Sequence, residues 1–280
     1  AASPPQGMVT GSSVTSEEAR AALRAATSSE LRGEAAARDK FRHPTETLLF
    51  FGARPDQTIV EIWPGGGWYT DILAPFLASG GGKLYAAHYD PSSDNERVRR
   101  SLDAYDAKYV GNPAIYGEVE MTSLSQGNRA IAPAGSADLV LTFRNVHNFT
   151  MGGWGAEAFA AFFEALKPGG TLGVVEHRLP EAADLSREMS SGYVKVSTVR
   201  TLAEGAGFVF DGSSEVNANT KDDTDHPFGV WTLPPRSRTT DRDGNAPEGF
   251  DAAEYLAIGE SDRMTLRFKK PLQPEEALLE

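Results

Sequence analysis

The stretch Thr58-Ile59-Val60-Glu61-Ile62-Trp63-Pro64-Gly65-Gly66-Gly67-Trp68-Tyr69-Thr70 decides the fold. Its first five residues are a short run rich in β-branched apolar side chains, the signature of a strand covered on both faces. Three glycines follow, and then Trp68, Ile72, Leu73, Phe76 and Leu77 recur at helical spacing. In a strand–glycine–helix unit the backbone can approach a ligand closely, and free N–H groups at the helix start favour its polar groups. Taken alone, the same turn is equally a tight connection between a strand and a helix.

Outward from this unit the rhythm repeats. Lys83 to His88 reads as a second strand, a polar helix covers about 93 to 110, and a third strand falls near Ala114 to Glu118. Ala137 to Phe143 is an almost wholly apolar strand. Ala156 to Leu166 is a helix stopped by Lys167-Pro168-Gly169-Gly170, and Thr171 to Glu176 is the next strand. Val196 to Ala206, with Ser197 as a candidate cap, precedes a strand at Phe208 to Gly212. Alternation of this kind implies right-handed crossovers, so the expected fold is α/β: a doubly wound, mostly parallel seven-stranded sheet. Met264 to Phe268 supplies its last strand.

Upstream, Thr15 and Glu18 match a capping box ahead of Ala19, Ala22, Leu23 and Ala26. A second helix is expected over about 29 to 40, and a third from Pro44 to a stop at Gly52. Residues 1 to 14 are rich in Pro, Gly, Ser and Thr and read as a disordered lead-in to one domain over 15 to 280. Residues 217 to 260 break the rhythm as an irregular insertion, with Val230 to Leu233 its strand-like piece. So long an irregular segment in a compact domain is usually functional.

Composition narrows the function classes. The 280 residues carry 27 basic and 39 acidic groups, a net charge of −12. An acidic chain repels phosphate backbones, which argues against nucleic acid as partner. No stretch approaches the ~20 apolar residues of a membrane span, so no membrane partner is expected. With no cysteine, thiolate catalysis and Cys-ligated metals are excluded. The start Ala1-Ala2-Ser3-Pro4-Pro5 fits cleavage of a signal peptide at small residues or trimming of the chain, and export is set slightly ahead of a cytoplasmic location.

Later segments make the glycine turn specific. Ala137-Asp138-Leu139-Val140-Leu141, Phe162 through Leu172 and Ala206-Gly207-Phe208 follow in an order and spacing that resembles class I S-adenosylmethionine-dependent methyltransferases. The resemblance covers roughly 44 to 214, with 262 to 269 as the antiparallel last strand. Glu61 to Thr70, Arg144-Asn145-Val146-His147-Asn148 and Glu260-Ser261-Asp262-Arg263-Met264 resemble more closely a bacterial group called predicted methyltransferases. The resemblance implies S-adenosylmethionine as cofactor. It makes Glu61 the acid ending the first strand, and sets Gly65, Gly66 and Gly67 beside the cofactor's amino-acid part. Asp90, or its competitor His88, becomes the grip on the ribose, Glu118 the neighbour of the adenine amine, and Arg144 to Asn148, with Asn145, the loop facing the transferred methyl. Trp63 stands where the family's first glycine belongs. Its indole either crowds the methionine end of the cofactor or lies against the sulfonium by cation–π attraction.

His147 and His177 both follow carboxyl ends of central strands, so each is a candidate base on a hydroxyl or amine, or else an ordering contact for its loop. Arg144 is a clamp for an acidic substrate or the partner of a carboxylate such as Glu176. Arg38, Asp39, Arg42 and His43 precede the fold proper and are placed to cap the site. Trp68, Tyr69, Trp154 and Trp231 join Trp63 as pocket or core aromatics. Lys221 to His226 reads as a solvated acidic loop rather than a metal site, and no metal is expected. Three functions follow: methyl transfer to a small-molecule oxygen, nitrogen or sulfur, a binding protein that has lost catalysis, or another enzyme using His147 and His177 for acid–base work. All three share one fold. Oligomeric state is not written in these patterns.

Overall fold

A computed structural model describes residues 14–272. Most of the expected lead-in, residues 1–13, lies outside the described residues.

The sheet runs in the order β3-β2-β1-β4-β5-β8-β7, from β1 (Thr58–Ile62), β2 (Lys83–His88), β3 (Glu118–Ser123), β4 (Ala137–Phe143), β5 (Leu166–Leu179), β7 (Val209–Ser214) and β8 (Arg263–Lys269). A two-residue strand, β6 (Val194–Lys195), adds to the end of β5 in parallel. Among the described strands, only β8 runs against its neighbours. Strand order reverses between β1 and β4, so the ligand crevice of such a sheet lies above their carboxyl ends.

Alternate residues of the central strands serve opposite faces. Ile59, Leu139 and Leu141 pack with Leu23 of α1 (Ser16–Thr27), Leu48 of α3 (Pro44–Phe50) and Ile72 and Phe76 of α4 (Thr70–Ala78). Val60, Ile62 and Val140 turn the other way, onto Phe149 of α7 (Val146–Met151), Phe159 and Phe162 of α8 (Gly155–Ala165) and Val199 of α9 (Val196–Gly205). Two covered faces explain why β1 and β4 read as continuous apolar runs. The capping box forms at the start of α1, Thr15 Oγ1 accepting from Glu18 N–H and the Glu18 carboxylate from Thr15 N–H. Between α1 and α3 lie a 3-10 stretch, Glu30–Arg38, broken at Gly33, and the short α2 (Asp39–Arg42). No described helix is long and apolar enough to cross a membrane.

Three local expectations are corrected. The third strand is not 114 to 118: Pro113 starts a one-turn helix, α6 (Pro113–Tyr116), after α5 (Glu96–Tyr105), and Gly117 at φ +67° turns the chain into β3. Val230 to Leu233 is no strand, since Gly229–Thr232 forms a 3-10 turn. Ser197 does not cap α9; it hydrogen-bonds Glu181 instead. The insertion also contains a helix the pattern did not suggest, α10 (Ala252–Ile258).

Candidate functional site

Register builds the site. Phe143 of β4 pairs with Val175 of β5, so the residue after each strand's carboxyl end emerges beside the other. Arg144 takes φ +60°, a left-handed conformation rare for a long side chain, and donates its N–H to Val175 O at 2.7 Å. That sharp turn starts α7 and swings His147 over Glu176. Such strain is commonest where a site over-determines the backbone.

Glu176 is fully buried and binds both neighbours. Its Oε1 accepts from His147 Nδ1 at 3.0 Å and from His177 N–H at 2.8 Å, and its Oε2 accepts from His147 N–H at 3.0 Å. With Nδ1 donating to a carboxylate, His147 keeps Nε2 as its base. Across β8, His177 Nδ1 meets Ser261 Oγ at 2.5 Å. The two imidazole centroids are 5.4 Å apart, and both rings line one cavity of about 490 Å³. Burial, then His147 and the nearby Arg263, Arg144 and Arg42, hold His177 well below the usual imidazole pKa, so it is neutral. His147, Glu176 and His177 sit close enough for metal ligation, yet both oxygens of Glu176 are already engaged.

The insertion covers this end of the cavity. Trp231 lies edge-on to His147 at 6.2 Å, and Pro234, Pro235 and Arg236 extend the lining. The 221–226 loop is not the solvated acidic turn that its composition suggests. Asp222 is buried and receives Tyr193 Oη, Thr224 N–H, Asp262 N–H and a 2.8 Å contact from His226 Nε2. That knot fixes the start of β8, and with it Ser261 over His177. Arg144 does not pair with Glu176; no carboxylate among the described residues bonds its guanidinium.

The glycine turn lines the same cavity. Gly65 takes φ +59° and has open space where a side chain would stand. Gly67 is required twice over: its φ is +84°, and a Cβ there would meet Tyr109 Oη at 2.0 Å. Asn145 Nδ2 donates to Ile62 O at 2.9 Å, tying the loop after β4 to the turn. Glu61 is 2% exposed, bonds Thr70 Oγ1 at 2.7 Å and sits beneath the turn, outside the cavity lining. Burial, partly offset by Thr70 and reinforced by Asp71, pushes its carboxyl up to about 8.

The three positions implied for a nucleoside do not come together. Glu118 opens β3 at the amino end of the sheet, paired with Lys83 at 2.9 Å, because the strand starts where it was expected to end. Asp90 folds back onto Ser92, accepting its N–H at 2.8 Å and its hydroxyl at 2.7 Å, and does not line the cavity. His88 ends β2 fully buried, with Nε2 against Gly65 O at 3.1 Å; burial lowers it to about 4, so it is a neutral brace for the turn. Trp63, at φ +45°, sends its indole across the ends of β2 and β3. Its Nε1–H donates to Leu124 O at 2.9 Å, and its ring meets Tyr89 at 5.2 Å and Phe149 at 4.9 Å. The indole therefore takes the place, next to the third strand's end, that the resemblance gives to the adenine. The amino-acid end of the crevice fits an S-adenosylmethionine molecule; in this conformation the nucleoside end does not.

Several residues of the site carried little or no signal in the sequence. Glu260 joins β8 to Arg38 and Arg42, more than 200 positions away. Trp68 Nε1–H donates to Ala35 O, and its ring lies under the Arg32 and Arg42 guanidiniums. No local pattern announces either.

No family model matches the chain, and no curated protein matches it. Solved structures do. A SAM-dependent methyltransferase from Aquifex aeolicus is 17% identical over 71% of this chain and 93% of its own, with a TM-score of 0.50. A putative sarcosine dimethylglycine methyltransferase from Galdieria sulphuraria is 13% identical over 86% and 87%, TM-score 0.52. The [4+2]-cyclase SpnF is 13% identical over 83% and 81%, TM-score 0.52. At such identities what is shared is the architecture: this chain has the Rossmann-like, doubly wound methyltransferase fold.

Proposed function

We propose that the chain transfers a methyl group from S-adenosylmethionine to an oxygen, nitrogen or sulfur nucleophile of a small molecule, with His147 taking the nucleophile's proton. The observation that carries this reading is the Glu176–His147 pair opening onto the cavity that the glycine turn also lines. A carboxylate behind Nδ1 fixes the ring's orientation and tautomer and leaves Nε2 toward the cavity, which is how an orienting acid makes a histidine an effective base. Trp231 and its neighbours wall that end, and His177, held well below the usual imidazole range by burial, is a weak base beside His147. The methyl donor would supply the electrophile; its amino-acid end matches the open space at Gly65. The fold shared with methyltransferases supports the assignment without deciding it.

One observation favours a second reading. With the Trp63 indole against Leu124 O, the crevice suits a molecule smaller than a nucleoside, acted on by His147 without a methyl donor or simply bound. Calorimetry with S-adenosylhomocysteine separates the two. Methyl transfer requires saturable binding that Gly65→Val abolishes. A folded protein giving no heat at millimolar ligand overturns it in favour of the second reading.

A further inference from the structure

Five arginines reach the cavity or its wall: Arg38, Arg42, Arg144 and Arg236 line it, and Arg263 stands behind. Their acidic company is thin. Glu260 takes Arg38 Nε at 2.7 Å, Arg42 Nε at 3.0 Å and a terminal nitrogen of Arg263. Glu260 does not line the cavity; the carboxylate that does among the described residues, Asp71, is committed to Lys108 at 2.8 Å and Tyr109 Oη at 2.9 Å.

Donors are left over in consequence. Arg42 is 2% exposed, yet neither of its terminal nitrogens has an acceptor among the described residues, and one nitrogen of Arg38 is buried in the same state. The half-buried Arg144 lines the cavity, and its guanidinium makes no hydrogen bond or ion pair with any described residue. Buried guanidinium N–H groups normally find acceptors, because leaving them bare forfeits strong charge-assisted bonds. Like charges crowd one another here: burial and the neighbouring Arg42 and Arg263 hold Arg144 well below the usual guanidinium pKa. Burial pushes Glu260 up, but Arg263, Arg42, Arg38 and Arg144 outweigh it and keep the carboxyl at about 2, fully ionised and still outnumbered.

The geometry points to a small anionic substrate, its carboxylate or phosphate seated on Arg144 beside the Arg42 fork and its reacting group toward His147. This assignment names the substrate class of the proposed reaction site and rests on reading that cavity as the site.

Malonate and inorganic phosphate, titrated separately into the full chain by calorimetry, test it. Wild type should bind at least one of them. Arg144→Gln should weaken that binding by about tenfold or more, the loss expected of one charge-assisted bond. Arg144→Lys should recover part of it. Arg97→Gln, which removes an equal charge from an exposed helix position, should change nothing. Because the Arg144 guanidinium pairs with no described residue and its backbone bond to Val175 O is unchanged by the substitution, Arg144→Gln should fold, and its melting temperature verifies that. Failure of both anions to bind, or equal effects of Arg144→Gln and Arg97→Gln, overturns the proposal. A second arm adds saturating S-adenosylhomocysteine. Anion binding that persists assigns the site to the substrate, whereas displacement means that Arg144 serves the donor's own carboxylate and ends the substrate assignment. Should S-adenosylhomocysteine itself not bind, methyl transfer falls and the Arg144 comparison still stands on its own.

Discussion

The two ends of the crevice are made from neighbouring strand ends and could hardly be furnished more differently. Above β4 and β5 polar groups are left unspent: His147 keeps a free Nε2, the half-buried Arg144 guanidinium has no partner among the described residues, and the buried Arg42 has idle donors. Above β2 and β3 the polar groups of His88, Asp90 and Trp63 are spent on the protein itself. His88 braces Gly65 O, Asp90 caps Ser92, and Trp63 donates to Leu124 O. Buried polar groups are ordinarily satisfied, so idle ones mark where a ligand belongs. The β4–β5 end is built for a ligand, and the β2–β3 end is closed by the chain's own side chains.

The largest effect should come from the first end. His147→Ala is expected to lower turnover about 10² to 10⁴-fold, the usual loss for a general base, while the fold persists. Glu176→Gln should lose part of this, because an amide can orient the ring but cannot balance its charge. Turnover within a few-fold of wild type in His147→Ala would move the chemistry elsewhere in the cavity.

The glycine turn joins the two ends and yields the next effect. Gly67→Ala meets both a positive φ and Tyr109 Oη, so a stability loss above about 2 kcal/mol is expected in denaturant titration. Gly65→Ala pays only for its φ, about 1 kcal/mol, since nothing stands near its Cβ. Equal losses would mean that Tyr109 yields easily.

How far the sequence carried this picture follows the same division. The central strands were legible because two covered faces force a continuous apolar run: 58 to 62, 83 to 88 and 137 to 143 match the observed strands. At the sheet edge that constraint fails. β3 has one packed face and alternates polar residues, so the apolar Ala114-Ile115-Tyr116 looked more like a strand than the strand itself. That slip moved Glu118 from the ligand end to the far end. His147 and His177 were legible from strand ends alone. Arg42 with Glu260 and the indole's seat on Leu124 O were not, because pairings across 218 and 61 residues leave no periodic trace.

Trp63 tests the closure itself. Trp63→Gly keeps the φ of +45° without strain and empties the space beside Leu124 O. If the indole is a plug, affinity for S-adenosylhomocysteine and S-adenosylmethionine should both rise about tenfold, roughly 1.4 kcal/mol. Trp63→Phe, which loses only the Nε1–H bond and some area, should fall between. Weaker binding of the cationic ligand alone in Trp63→Phe would instead place the indole against a sulfonium and reverse the contrast between the two ends.

The last effect is spread over the pH scale and concerns Glu61, beneath the turn where the two ends meet. Its carboxyl sits at about 8 in the folded chain against 4.5 for the free group, so it is protonated at neutral pH while its Oε2 accepts from Thr70 Oγ1. The sign follows from proton binding. Between about pH 4.5 and 8 the folded chain holds a proton that the unfolded chain has released, so stability falls as pH rises, by up to about 1.4 kcal/mol per unit. Below 4.5 both states hold the proton and the contribution is fully present; above 8 both have lost it and the slope ends. His88 works in the opposite sense: lowered to about 4, it adds stability as pH rises toward 6.5. Glu61→Gln leaves His88 in place and removes only the first effect. Urea titrations of both proteins from about pH 5 to 8 should therefore diverge, the variant gaining on wild type by about 1 kcal/mol for each unit. Parallel curves would mean that Glu61 is ionised in the fold, and that the glycine turn rests on a charge rather than on a neutral hydrogen bond.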